Sequence, residues 1–197
     1  MENFQTLIPF PGAEGTDSAL ARYRVLASVR SSSAGWTFRF RVEGTGETGI
    51  SELILPRFAG GGARRDELWK TTCFEVFVAD PRSREYVEWN GSANGDWNCY
   101  RFDDYRAGMR LADPDGEPPV YREVFRDAGA WEGEWKVPRA LLPFEGPIGL
   151  AAVTETRAQG QSSLAYWAAA HFSVRPDFHR RESFVCRIEA SGRNSPV

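Results

Sequence analysis

The feature that most constrains this chain is strict two-residue alternation of apolar and polar side chains. In Thr37 to Val42, Phe38, Phe40 and Val42 alternate with Thr37, Arg39 and Arg41. Upstream, Tyr23, Val25, Ala27 and Val29 alternate with Arg22, Arg24, Ser28 and Arg30. Successive strand side chains point to opposite faces, so this spacing predicts half-buried strands, whereas a helix needs a period near 3.6. Further β-branched and aromatic runs follow at Cys73–Val78, Glu85–Asn90, Trp97–Phe102, Gly149–Thr156, Ser163–Phe172 and Ser183–Ala190. Gly-, Asp- and Pro-rich turns such as Ala59–Asp66, Gly91–Asp96 and Asp113–Pro119 separate them. Helical patterns are short: Asp104–Arg110, and Pro138–Leu142 with Pro in the first turn. Many strands without strand–helix alternation predict an all-β fold, an antiparallel two-sheet β-sandwich with few short helices. At 197 residues, one domain spanning 1–197 is expected, with about 190–197 as a loose tail.

Charge and composition exclude some functions. Lys and Arg number 24 against 27 Asp and Glu, a net charge of −3, which argues against a nucleic-acid partner. No apolar run approaches the roughly 20 residues of a membrane-spanning helix, so no membrane partner is expected. Cys73, Cys99 and Cys186 are too few and too widely spaced for a disulfide framework or a CxxC metal knuckle, and read as buried thiols. The opening MENFQTLIPFPGAEG has no basic segment leading into a long apolar one. Together these features lead to an expected cytoplasmic location.

Three segments carry chemistry beyond strand formation. In Arg65–Pro81, Trp69 stands at the mouth of a strand, and Glu75 points away from Phe74 and Val76. A carboxylate in an apolar strand needs either solvent or a partner. In Arg84–Met109, Tyr86, Glu88 and Asn90 share one face. An aromatic ring, a carboxylate and an amide in a row suit a hydroxyl-rich ligand: the ring covers C–H faces and the polar groups take hydroxyls. In Leu164–Phe184, Trp167, Ala169 and His171 share a face, and the small alanines leave room for an aromatic ring or a ligand.

These segments, with Trp131, Glu134, Trp135, Val137 and Pro138 of AWEGEWKVP, resemble the bacterial DOMON-like domains, which are similar to family 9 carbohydrate-binding modules. The resemblance runs from about Arg65 to Phe184. It implies a sandwich of jelly-roll or immunoglobulin-like type, with sugar binding in one branch and b-type haem binding in another. Family 9 modules are usually attached to secreted hydrolases. Haem-binding DOMON domains use a Met and a His as axial ligands, which here points to Met109 and His171. Structural calcium, known in this superfamily, would draw on Asp103, Asp104, Asp113 and Asp115, although no EF-hand-type spacing is present.

The expected function is non-catalytic binding of a small carbohydrate or polyol-like molecule. Trp69, Trp97 and Trp167 would stack on it. Glu75, Glu88, Asn90 and His171 would supply polar contacts, with Arg65 at the rim. No catalytic or metal-binding residue is assigned. Alternatives are haem binding through His171 and Met109, and a small enzyme using Glu75 and Glu88 with His171, Asp177 and His179. The Trp residues could equally fill the space between sheets, and the carboxylates, Glu155 included, could pair with Arg101 or Arg157.

Overall fold

The computed structural model describes residues 3–11, 22–113, 115–158, 160–186 and 188. Twelve strands run β1 (Gln5–Thr6), β2 (Ile8–Pro9), β3 (Tyr23–Ser32), β4 (Gly35–Gly44), β5 (Cys73–Ala79), β6 (Tyr86–Gly91), β7 (Trp97–Phe102), β8 (Arg110–Leu111), β9 (Val120–Arg126), β10 (Ala130–Pro138), β11 (Ile148–Ala158) and β12 (Gln161–Ala168). They form a five-stranded sheet in the order β1-β3-β4-β10-β9 and a seven-stranded sheet in the order β2-β12-β11-β5-β6-β7-β8. Every pairing between these strands is antiparallel, giving the β-sandwich expected from the alternation.

Large rings fill the space between the sheets. From the five-stranded sheet come Trp36, Phe38, Phe40, Trp131 and Trp135; from the seven-stranded sheet come Phe74, Trp89, Trp97 and Trp167. Phe74 stacks on Trp131 with centroids 4.7 Å apart and planes 14° from parallel. Such contacts add to the benefit of burying the area. The indoles need room on their own strands. A Cβ on Gly91 would come within 2.3 Å of the Trp89 ring, and one on Gly133 within 2.7 Å of Trp131. Glycine at these two positions lets a tryptophan lie across its own strand.

The two sheets differ on their outer faces. On the five-stranded sheet, Arg39 and Arg41 of β4 meet Glu132 and Glu134 of β10 in an ion-pair ladder. On the seven-stranded sheet, Phe77, Tyr86, Tyr100, Phe102, Ala151, Ala168 and Phe184 form a second apolar cluster, with Trp69 and Phe178 packed against it. Residues following β12 thus cover part of that face. This explains why β5 and β6 are buried along their whole length, and why β5 reads as a fuller apolar run. Phe184 fills the space above the small residues, lying 2.7 Å from where a Cβ on Gly149 would sit and stacking on Phe77.

Several sequence expectations are corrected. Asp104–Arg110 is not helical: the backbone turns tightly, with Arg106 and Gly108 at positive φ (50° and 67°). Pro138–Leu142 closes only single turns, through Leu141 N–H to Pro138 O and Leu142 N–H to Arg139 O. The helical content of the described residues is two 3-10 turns, Leu68–Lys70 and Arg181–Ser183. Ser163–Phe172 stops being a strand at Ala168. The described residues of Ser183–Ala190 contribute a single bridge, Ile148 to Cys186, and the rest of that expected strand, 187 and 189–190, lies outside the described residues. Beside Ile148, β11 has a free edge only before β12 begins pairing at Ala151, so there is no room for a longer ladder. The expected tail lies outside the described residues. All three cysteines are buried free thiols. No helix among the described residues is long and apolar enough to cross a membrane.

Candidate functional site

A pocket of about 340 Å³ opens on the outer face of the seven-stranded sheet. Five neighbouring strands supply its floor: Val153 of β11, Tyr166 of β12, Glu75 of β5, Glu88 of β6 and Phe102 of β7. Loops form its walls: Trp69 from the 3-10 turn before β5, Arg106 and Met109 from the β7–β8 connection, and Pro176, Phe178 and His179 from the segment after β12.

Hydrogen bonds fix the walls. The Asp66 carboxylate accepts from Tyr100 Oη (2.9 Å) and Asn98 Nδ2 (2.7 Å), tying the loop before Trp69 to β7. The Trp69 ring then meets Tyr100 edge-on, with centroids 5.7 Å apart. Asp177 accepts from Tyr105 Oη at 2.7 Å and from Arg106 Nη2 at 3.1 Å, joining the two wall loops across the pocket. The same carboxylate accepts from the backbone N–H of His179.

The floor is electrostatically unusual. Glu75 and Glu88 are 3% and 4% exposed. In the sheet register Glu75 faces Asn90 and Glu88 faces Phe77, which makes the two carboxyls diagonal neighbours on one face. Glu88 Oε1 accepts from Asn90 Nδ2 at 2.7 Å. Glu75 has no hydrogen-bond or ion-pair partner among the described residues. Burial pushes the Glu88 carboxyl up to about 7, against the Asn90 hydrogen bond and the Arg106 charge. Burial, then the neighbouring Glu88, pushes Glu75 well above the usual carboxylate range. At neutral pH the pair therefore holds protons that isolated glutamates would have lost.

His179 is held neutral. Burial and the nearby Arg106 charge lower it to about 4, with Asp177 opposing. Its Nδ1 lies 2.8 Å from Tyr86 Oη, and that oxygen accepts from the Arg106 backbone N–H. Tyr86, which burial raises to about 12, keeps its proton. Nε2 faces Glu88 Oε2 at 3.7 Å. That gap is too long for a direct hydrogen bond and suits a bridging water or ligand hydroxyl.

Of the residues singled out in the sequence, Trp69, Glu75 and Glu88 meet in this pocket, and Asn90 lies beneath it, supporting Glu88. His179 and Met109, named for the alternative readings, also line it, and the remaining ones lie elsewhere. Trp97 and Trp167 point between the sheets, 4% and 2% exposed. Trp97 packs under the Arg64 guanidinium, and Trp167 donates to Thr154 Oγ1 at 2.8 Å. Neither can stack on a ligand at the outer face. Arg65 pairs with Asp96 outside the pocket lining. His171 Nε2 lies 2.8 Å from the Ile8 carbonyl, and the ring is not part of the pocket. Met109 lines the pocket without His171, so this Met and His do not form the axial pair that haem would need. Of the loop aspartates considered for calcium, Asp103 is taken up by Arg110 and Asp104 by Arg84. Among the described residues no three His, Cys, Asp or Glu side chains gather as metal ligands.

Sequence reasoning missed Phe102, Arg106, Tyr166, Pro176 and Phe178 as lining residues. Phe102 and Tyr166 had a usable signal, since alternation places them on the face of Tyr100 and Leu164. The loop residues had none, because nothing in local spacing brings Arg106 to Asp177 across 71 positions.

No family model matches the chain, and no curated protein matches it. Among solved structures it is similar to one described as a "putative carbohydrate-binding protein" from Bacteroides uniformis, with a TM-score of 0.60 and 13% identity over 93% of this chain and 84% of that one. At that identity the likeness is one of fold.

Proposed function

We propose that the outer-face pocket binds a small carbohydrate or polyol-like ligand without converting it. The observation that carries this reading is the meeting of the Trp69 ring with Glu75, Glu88 and His179 in one pocket. Its volume falls at the lower end of the range typical of small-molecule sites. Trp69, Phe102, Tyr166 and Phe178 offer surface for the C–H faces of a sugar ring, while the carboxyls and imidazole offer both donors and acceptors. The name of the Bacteroides uniformis neighbour supports the same class of ligand. Isothermal titration against a panel of mono- and oligosaccharides tests it, with Trp69→Ala and Glu88→Gln as controls. Binding that both substitutions weaken is expected. No heat with any sugar would remove the reading.

One observation favours a second reading, catalysis on the same ligand. A neutral imidazole nitrogen faces a carboxyl raised to about 7 across 3.7 Å, an arrangement suited to acid–base work near neutral pH. Incubating each sugar with stoichiometric protein and following its proton NMR spectrum distinguishes the two. An unchanged spectrum favours binding alone, whereas new anomeric or product signals that Glu88→Gln abolishes favour catalysis.

A further inference from the structure

Resting on the reading of the pocket as a sugar or polyol site, we propose that its ligand carries a cationic amine, as in an amino sugar, with the ammonium seated against Glu75 and Glu88 and flanked by the aromatic walls.

The first observation is Glu75 itself. It is 3% exposed, lines the pocket, and has no hydrogen-bond or ion-pair partner among the described residues. A buried carboxyl left this way bears a desolvation cost that a neutral hydroxyl recovers only in part and a cation recovers more fully.

The second is the charge balance around it. Glu88, the diagonal neighbour, is also buried, so both carboxyls cannot ionise together without a counter-charge. The pocket's one guanidinium, Arg106, is already paired with Asp177 at 3.1 Å. His179 is neutral and bonded to Tyr86, and Tyr86 keeps its proton. The Cys73 thiol, raised by its own burial and bonded to Asn90 Oδ1 at 3.5 Å, adds no charge. Among the described residues lining the pocket the floor is therefore acidic in composition, and Arg106, whose charge reaches both carboxyls, is shared with Asp177.

The third is the walls. Trp69, Phe102, Tyr166 and Phe178 surround the carboxyls with aromatic surface. Ring faces attract cations, and aromatic walls around a carboxylate are a chemistry that recognises ammonium groups. A neutral sugar would use the rings and hydroxyl partners and leave the acid pair protonated. An amino sugar would engage all three.

Ammonium binding would ionise a floor that is otherwise largely protonated, so association would release protons to solvent. The test is titration calorimetry with glucosamine, N-acetylglucosamine and glucose at pH 6.5, in two buffers of different ionisation enthalpy. Glucosamine binding at least tenfold tighter than the other two, with about one proton released, is expected. Equal affinities without proton release would overturn this inference and leave the sugar-binding reading standing. No binding by any of the three would overturn both. Glu75→Gln, with its fold checked by circular dichroism, should reduce the glucosamine-to-glucose preference to less than about threefold; an undiminished preference contradicts the role given to Glu75.

Discussion

The phenol of Tyr86 and the imidazole of His179 lie 2.8 Å apart across 93 residues of sequence, and this contact secures the segment after β12 over the outer face of the seven-stranded sheet. It also holds His179 Nε2 toward Glu88. Tyr86→Phe would leave His179 Nδ1 and the Arg106 N–H without their partner. A loss of about 1–2 kcal/mol in urea unfolding is expected, together with weaker ligand binding. A variant with unchanged stability would show that the contact does not hold the wall.

The carboxyl pair sets the pH dependence of stability. Glu88 is raised from 4.5 to about 7, so its contribution is complete below about 4.5 and lost as pH rises through about 7. Glu75, also raised, acts in the same direction. His179 is lowered from 6.5 to about 4, so its contribution is complete above 6.5 and lost as pH falls through about 4. From about pH 5 to 7 the two carboxyls oppose His179 and, outside the pocket, His171, which burial also lowers, so the carboxyls' own contribution is lost as pH rises. Thermal melting at pH 5, 6, 7 and 8 checks this: the wild-type curve should fall more steeply than that of Glu88→Gln. Parallel curves would count against a protonated pair.

The ion-pair ladder on the opposite sheet makes a separate contribution. Glu132 is 1% exposed and is held by Arg41 Nη2 at 2.6 Å. Arg39 and Arg41 are themselves partly exposed and keep Glu134 and Glu43 as further partners. Glu132→Ala should therefore cost about 2 kcal/mol, between the values for a surface pair and a fully buried one. Chemical denaturation measures it; a cost under about 0.5 kcal/mol would make the ladder merely decorative.

The tryptophan core depends on glycine. Gly91→Ala places a methyl group 2.3 Å from the Trp89 ring and 3.1 Å from Trp135, so overpacking should cost about 2–3 kcal/mol. Gly46→Ala, with nothing within 4 Å of the new carbon, should change stability by less than about 0.5 kcal/mol. Equilibrium unfolding compares them. If the chain is one domain, fluorescence and circular dichroism should report a single coincident transition in each case.

Much of the sandwich was legible because alternation reports directly which side chains share a face. Phe38, Phe40 and Val42 are all buried on the core side, as their spacing implied. Alternation does not report which face is covered or by what. Trp97 shares a strand with Tyr100 but points the other way, and only the register of β7 on β6, Glu88 against Tyr100, shows that the pocket side belongs to Asn98, Tyr100 and Phe102. The row Tyr86, Glu88, Asn90 was correctly grouped, although Asn90 lies beneath the pocket. Both histidines were visible in the sequence, yet choosing His179 over His171 required the fold of the segment after β12, where no periodicity exists. The described part of Ser183–Ala190 has suitable residues but, beside Ile148, little free strand edge to pair with.

The central claim is that a ligand enters beside Trp69 on the outer face and leaves the indoles between the sheets untouched. Nitrogen-edited NMR of the seven indole N–H groups, titrated with glucosamine and with glucose, tests it directly. Trp69, identified by its loss in Trp69→Phe, should shift progressively, while Trp36, Trp89, Trp131 and Trp135 stay in place. A still Trp69 signal under saturating sugar, or shifts confined to the inter-sheet indoles, would contradict it.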